Sequence, residues 1–226
     1  MTRSAGPAGA AVAGRGPPPP ARRGRFITFE GIDGSGKSTA IAAVGQALAS
    51  SGVALLQTRE ESDGASGAWV RQSIEQRMDP LATTFLFLAD RAQHALAIAQ
   101  ALDAGRHVLC DRYEHSTLAY QGVTLRGRMP DPVGWIRRLH EPVPARPDHV
   151  LLFDVDPAQA LERARARGAM APYEKAAFLQ EVREAYLRLA REDPRVHVLD
   201  ASRPAADVAC EAEALVRGWI KAAAPA

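Results

Sequence analysis

Gly31, Gly36, Lys37 and Ser38 are spaced as G-x4-G-K-S within Arg25-Phe-Ile-Thr-Phe-Glu-Gly-Ile-Asp-Gly-Ser-Gly-Lys-Ser38. A set of this kind can hold a chain of phosphates. Its glycines let backbone N–H groups turn inward on an anion, and a helix starting at Lys37 presents its positive end to the same anion. The Lys37 ammonium reaches the outer phosphates as a flexible point charge, and the Ser38 hydroxyl suits Mg²⁺. Ile32, Asp33, Gly34 and Ser35 complete the loop, and Thr39 follows it. Only three lysines (Lys37, Lys175, Lys221) stand against 25 arginines, so the loop keeps the ammonium where a planar guanidinium fits poorly. The apolar run before the loop and the helical pattern after it distinguish it from a chance glycine turn, and a nucleotide phosphate is the expected ligand.

Phosphoryl transfer needs positioning and charge neutralisation more than covalent chemistry. Asp111 follows four residues that read as buried, His107–Cys110, and can serve a metal directly or through water, or else cap a helix over 115–121. Arg112 can bridge donor and acceptor phosphates, or form a surface ion pair. Arg59 ends another apolar run, in Thr58-Arg-Glu60. Phe87 and Arg91 are four apart and so share a helix face, where a ring and a guanidinium can stack a base and hydrogen-bond its edge. By pattern alone Phe87 reads equally as core packing. Arg163, Arg165 and Arg167 alternate in Leu161-Glu-Arg-Ala-Arg-Ala-Arg-Gly168 and cannot share one face. Some turn inward and others are solvated. A basic helix end followed by Gly168-Ala-Met-Ala-Pro172 suits a mobile lid over about 164–176 that closes on phosphates.

These residues need a scaffold. Short apolar runs predict strands at Phe26–Glu30, Val53–Thr58, His107–Cys110, His149–Asp154 and Val196–Leu199. Helical periodicity predicts helices over 37–50, 66–77, 81–104, 115–121, 131–140, 157–167, 174–192 and 205–220. Alternating strands and helices imply an α/β fold: a five-stranded parallel sheet with helices on both faces, joined by right-handed crossovers. Ligands of such sheets bind at the carboxyl ends of strands, and the phosphate loop, Arg59 and the Asp111-Arg112 pair all fall there.

The whole chain constrains the function class. A span of 226 residues, 46% hydrophobic and 24% charged, suits one soluble domain over 25–222 with no membrane partner. Residues 1–25 hold five arginines and no acid, which leaves 23 basic against 26 acidic residues beyond them. That mildly acidic body argues against a nucleic-acid binder. Residues 1–24 are rich in Ala, Gly, Pro and Arg, lack the apolar core of a signal peptide, and read as a disordered tail. Cys110 and Cys210 suggest free thiols in a reducing cytoplasm rather than a disulfide framework. No lysine lies in an Asn-Lys-x-Asp segment, so a guanine-reading switch is not expected.

Taken in order, these segments resemble the thymidylate kinase family. The matching stretches are Phe26–Thr39, Thr58-Arg-Glu60, Phe87-Leu-Ala-Asp-Arg91 and Asp111-Arg-Tyr-Glu-His-Ser-Thr-Leu-Ala-Tyr-Gln-Gly122. Later come Asp154-Val-Asp-Pro157 with its arginine-rich helix and Tyr173-Glu-Lys-Ala-Ala-Phe178. The segment ending in Ala-Tyr-Gln-Gly is far more specific than the phosphate loop. The resemblance implies the P-loop nucleoside-monophosphate-kinase fold, a homodimer, and Mg²⁺-dependent transfer from ATP to dTMP for dTTP synthesis. By position, Lys37, Asp111 and Arg112 would be catalytic, and Ser38 with Asp111 would hold the metal. Asp33 would bind the sugar hydroxyl or position the acceptor phosphate, which Arg59 and Arg112 would hold. Phe87 would stack on thymine while Arg91 reads its edge. Thr117 and Gln121 would lie by the base, Tyr120 would crowd the sugar C2′, and Tyr173 would join the dTMP site. Some relatives carry a catalytic base inside the phosphate loop. Here Ile32-Asp-Gly-Ser35 has none, so the lid would supply it from Arg163, Arg165 or Arg167, with Arg165 favoured. Two departures stand out: Pro172 replaces a lid arginine, and Arg59-Glu60 continues into Glu61-Ser62-Asp63, acids that work against an anionic acceptor. They leave open a divergent kinase for another pyrimidine (deoxy)nucleotide, or a nucleotide-binding relative with impaired transfer.

Overall fold

A computed structural model of the chain describes residues 23–166 and 173–222, with side chains at 173–175 outside the description. Five strands form one parallel sheet: β1 (Phe26–Glu30), β2 (Leu55–Arg59), β3 (His107–Asp111), β4 (His149–Asp154) and β5 (Val196–Asp200), in the spatial order β2-β3-β1-β4-β5. The helices are α1 (Lys37–Ser50), α2 (Ala65–Glu75), α3 (Pro80–Asp103), α4 (Glu114–Thr124), α5 (Pro132–His140), α6 (Pro157–Ala166), α7 (Tyr173–Glu192) and α8 (Ala205–Ala222). The expected sheet and its cover of helices are therefore present.

The central strand, Phe-Ile-Thr-Phe-Glu, is buried along its whole length, as a parallel strand covered on both faces must be. Its alternate residues feed two cores. Ile27 and Phe29 pack with Ile41, Val44 and Leu48 of α1 and with Val208 and Val216 of α8. Phe26 faces the other way, against Ile98 and Leu102 of α3 and the ring of Tyr113, 4.9 Å away edge-on. Each side chain so buried contributes roughly 2 kcal/mol.

Register decides what meets at the rim. Phe29 lies beside Asp111 on β3, and Asp111 lies beside Arg59 on β2. The exit of β1 into the phosphate loop is thus flanked by the residues expected to serve the metal and the acceptor. At the opposite end, Gly24 is buried with its N–H on the Leu102 carbonyl at 2.8 Å. The strand β2 starts at Leu55 rather than Val53, because the Val53 N–H turns back to close the end of α1 on the Leu48 carbonyl at 3.1 Å.

Candidate active site

The loop between β1 and α1 is held open by backbone geometry. Gly34 has φ +84°, and a Cβ there would sit 2.3 Å from the Ala160 carbonyl oxygen, so only glycine fits. Gly36 precedes α1 at φ 95° and makes no side-chain cap. The first turn of α1 therefore keeps its N–H groups for an anion. Lys37 folds back into the loop, its Nζ donating to the Ile32 carbonyl at 3.0 Å. Burial, helped by the Arg112 charge, pulls its pKa down from the usual 10.5 to about 7. A phosphate would reverse that by supplying negative charge.

Ser38 and Asp111 meet across the gap between α1 and β3. The Ser38 Oγ donates to Asp111 Oδ2 at 2.8 Å, while Oδ1 is buried with no hydrogen-bond partner among the described residues. A hard cation takes carboxylate and hydroxyl oxygens, and this orphaned oxygen beside a hydroxyl fits one. Arg112 leaves the strand at φ 70°, in the left-handed region. Bulky residues hold that conformation only when tertiary contacts impose it. Here the guanidinium donates to the Gly31 carbonyl (3.1 Å), Ser116 Oγ (3.2 Å) and Asp33 Oδ1 (2.6 Å), and lies over the Tyr120 ring. Ser116 in turn donates to Glu30 Oε2 at 2.6 Å. Glu30 is fully buried, and burial pushes its pKa up against the opposing influence of His115, Ser116, Arg112 and Tyr113.

A cavity of about 270 Å³ gathers Lys37, Ser38, Asp111, Arg112 and Arg59 with Asp33 and Gly34. Arg59 is exposed and pairs with Asp63 Oδ1 at 2.8 Å, a contact that lowers the Asp63 pKa. One of the departing acids thus sits on the guanidinium expected to hold the acceptor. Arg71 of α2 also lines this cavity and donates to the Ser62 carbonyl at 2.8 Å.

A second cavity, about 300 Å³, adjoins the first through Asp33, Glu60, Glu61 and Arg112. Phe87 and Arg91 enter it from α3, and Thr117, Tyr120 and Gln121 from α4. Tyr120 also accepts the Asp33 N–H at 3.3 Å. The Phe87 ring and the Arg91 guanidinium line the same cavity. Arg91 is only 1% exposed and bonds the Glu60 carboxylate, His140 Nε2 (2.7 Å) and the face of Tyr113. His94, one turn on, approaches Glu60 at 3.4 Å and Thr58 Oγ1 at 2.8 Å.

Several participants were given no role by the sequence. Glu60 ends the Thr58-Arg-Glu60 stretch, and its carboxylate is buried on Arg91. Asp90 is 1% exposed and accepts from Ser62 N, Ser62 Oγ and Ser66 Oγ at 2.5–2.8 Å, which fixes the segment after β2. Its position before Arg91 in the quoted motif was the available hint. Ser116 and Phe178 lie within the matching stretches but were given no role by them, and His140 lies in none of those stretches. Of the lid arginines, Arg163 donates to the carbonyls of Ala201 (2.8 Å) and Ser202 (3.1 Å), and Arg165 is exposed at the last turn of α6. Arg167, Gly168, Pro172 and the Tyr173 side chain lie outside the described residues, so most of the expected lid does too.

A family model described as "Thymidylate kinase" matches residues 29–212. A probable thymidylate kinase of Methanosarcina mazei is 46% identical over 189 residues, 82% of this chain and 92% of its own length. A probable thymidylate kinase of Methanoculleus marisnigri is 45% identical over 186 residues, covering 81% and 90% of the two chains. A thymidylate kinase of Magnetococcus marinus is 39% identical over 198 residues, covering 83% and 92%.

Proposed function

The chain belongs to the thymidylate kinase family, and we propose that it uses this site to move the γ-phosphoryl group of Mg-ATP onto dTMP, giving dTDP and ADP. The observation that carries the reading is the adjacency of two cavities, one lined by Lys37, Ser38 and Asp111 and the other by Phe87 and Arg91, with Arg112 and Asp33 common to both.

In this reading the loop N–H groups, the start of α1 and Lys37 hold the β- and γ-phosphates. Arg59 and Arg112 hold the acceptor phosphate, and Asp33 steers Arg112 or the sugar hydroxyl. An oxygen of the acceptor phosphate attacks the γ-phosphorus, the bond to the β-phosphate oxygen breaks, and ADP leaves with the electron pair. Charge spreads over the transferring oxygens, where Lys37 and Arg112 neutralise it. Ser38 and Asp111 would hold Mg²⁺, which would supply positive charge to offset that of the phosphates. Phe87 stacks the base, Arg91 reads its edge, Thr117 and Gln121 flank it, and Tyr120 closes over the sugar. Arg163, Arg165 and Arg167 remain the candidates for the lid charge, with Arg165 preferred; Arg163 donates to the backbone carbonyls of Ala201 and Ser202.

A coupled ADP-release assay with Mg-ATP against dTMP, dUMP, UMP, dCMP and thymidine tests the reading. Strong preference for dTMP is expected, and preference for another acceptor overturns it. The reading also includes a second copy of the chain as partner. Its support is an exposed apolar stripe along α3 at Phe85, Ala89, Ala92 and Leu96; Trp69 of α2 is exposed as well. Light scattering after size exclusion, returning a monomer mass at micromolar protein, would remove the dimer. We place the enzyme in the cytoplasm, supported by the free thiols of Cys110 and Cys210. Among the described residues no helix is long and apolar enough to cross a membrane.

A further inference from the structure

Beyond Arg91 lies a third cavity, about 430 Å³, that shares no lining residue with the two substrate cavities. Its arginines are engaged: Arg137 with Glu192, Arg146 with Glu114 and Arg195 with Asp193. His140, the last residue of α5, lines this cavity and also touches the base pocket through Arg91. Its Nε2 is 2.7 Å from an Arg91 terminal nitrogen. Arginine has no acceptor atom, so the imidazole must accept, and the ring proton must sit on Nδ1. That Nδ1 is buried and finds no partner among the described residues. Burial, together with Arg91, Arg146 and His115, pulls the His140 pKa down to about 2, so the ring stays a neutral acceptor throughout the working range.

A residue present only to fill this space would do so better as Leu or Phe, without a buried unpaired N–H. What the imidazole alone supplies is an acceptor for Arg91. Glu60 holds one terminal nitrogen of that guanidinium and His140 the other. Two anchors on two nitrogens fix the rotation of a planar group as well as its place, whereas one anchor lets it pivot. We propose that His140 is a positioning residue for acceptor recognition, orienting the Arg91 guanidinium so that its remaining N–H groups meet the edge of the base. The proposal rests on the assignment of Arg91 to that edge. No motif contains His140; only the packing of α5 brings it to α3.

Steady-state kinetics of His140→Gln and His140→Asn test it. Gln carries its amide oxygen to the place of Nε2, while Asn reaches only the place of Nδ1. His140→Asn is expected to raise KM for dTMP at least tenfold with kcat within threefold and KM for ATP unchanged, and His140→Gln to stay within threefold of the parent. On an Arg91→Met background, His140→Asn should add nothing. Equal losses in Gln and Asn, a parallel fall in ATP affinity, or an unchanged KM for dTMP in Asn would each overturn the proposal. Arg91→Met by itself addresses the premise separately: a KM for dTMP within twofold of the parent removes Arg91 from the base edge whatever His140 does. A readout on the unaltered protein covers variants that fail to fold. Nitrogen-15 spectra of the imidazoles should show one ring locked as the neutral Nδ1–H tautomer between pH 5 and 9, and its absence sinks the proposal.

Discussion

At the phosphate end of the site, six consecutive residues, 31–36, and the first turn of α1 supply the anion cradle, and its key atoms are backbone N–H groups. At the base end, every group on Arg91 arrives from a different element: Glu60 from after β2, His140 from the end of α5 and Tyr113 from after β3. The first arrangement is local, partly open to solvent and organised around charge that the ligand will bring. The second is buried and already anchored by the protein's own groups, the Glu60 carboxylate and the neutral His140 ring. A local cradle can lose a side chain and keep its shape. A distributed buried network cannot, because removing one partner strands a charge in a low-dielectric interior. The two ends should therefore fail in different ways when altered.

The largest effect is expected at the phosphate end. Lys37→Ala and Arg112→Ala should each lower turnover by about 10³-fold, as loss of a charge on the transferring group does, and for Lys37→Ala the melting temperature should stay near that of the parent. A coupled ADP-release assay beside a thermal melt checks both halves, and a rate within tenfold of the parent would strike that residue from the mechanism. The base end should show the reverse. Glu60→Leu strands the Arg91 guanidinium and should cost about 3–5 kcal/mol, a fall of roughly 10 °C in melting temperature. If Glu60→Leu melts like the parent, the contrast between the two ends collapses.

Protonation sharpens the comparison. In the empty protein the Lys37 pKa is about 7, below the unfolded value of 10.5. Between those values the unfolded chain carries a proton that the folded one lacks, so this group makes the empty protein more stable as pH rises from about 7 toward 10.5. A bound phosphate raises the pKa again, so nucleotide binding at pH 8 should take up nearly one proton. Calorimetry in buffers of different ionisation enthalpy measures it, and Lys37→Met should abolish the uptake. Proton release, or uptake unchanged in Lys37→Met, would mean that the ammonium does not contact the phosphates. The smallest effect concerns Asp63, which competes for the exposed Arg59. Asp63→Asn should lower KM for dTMP two- to threefold with kcat unchanged, and a raised KM would show that Asp63 aids the acceptor rather than displacing it.

Much of the scaffold was legible. Short continuous apolar runs such as Phe26–Glu30 and His149–Asp154 suit strands buried on both faces, and α1 starts at Lys37 because Gly36 before it sits at φ 95°, outside the helical region. Edges were less legible. β2 lies at the edge of the sheet with none of its residues fully buried, so its pattern is weak, and the closing turn of α1 takes Val53. In the site, spacing located the phosphate loop and paired Phe87 with Arg91, since both relations are local. Spacing gave no partner for His140, Asp90 or the Ser116–Glu30 bond, because these contacts reach across 24 to 86 residues. The acids after Arg59 were read as one repulsive cluster near the acceptor. In the fold Asp63 pairs with Arg59 on the surface, while Glu60, just ahead of that cluster, is buried on Arg91.

The alternating strands and helices, the anion-binding loop and the family were all readable from short-range pattern: periodicity, glycine placement and residues in fixed order. Which charges neutralise which was set by long-range packing. That choice depends on how β2, α3 and α5 converge. Once the Arg91 guanidinium is buried there, the cost of leaving it unpaired requires Glu60 and His140 to meet it.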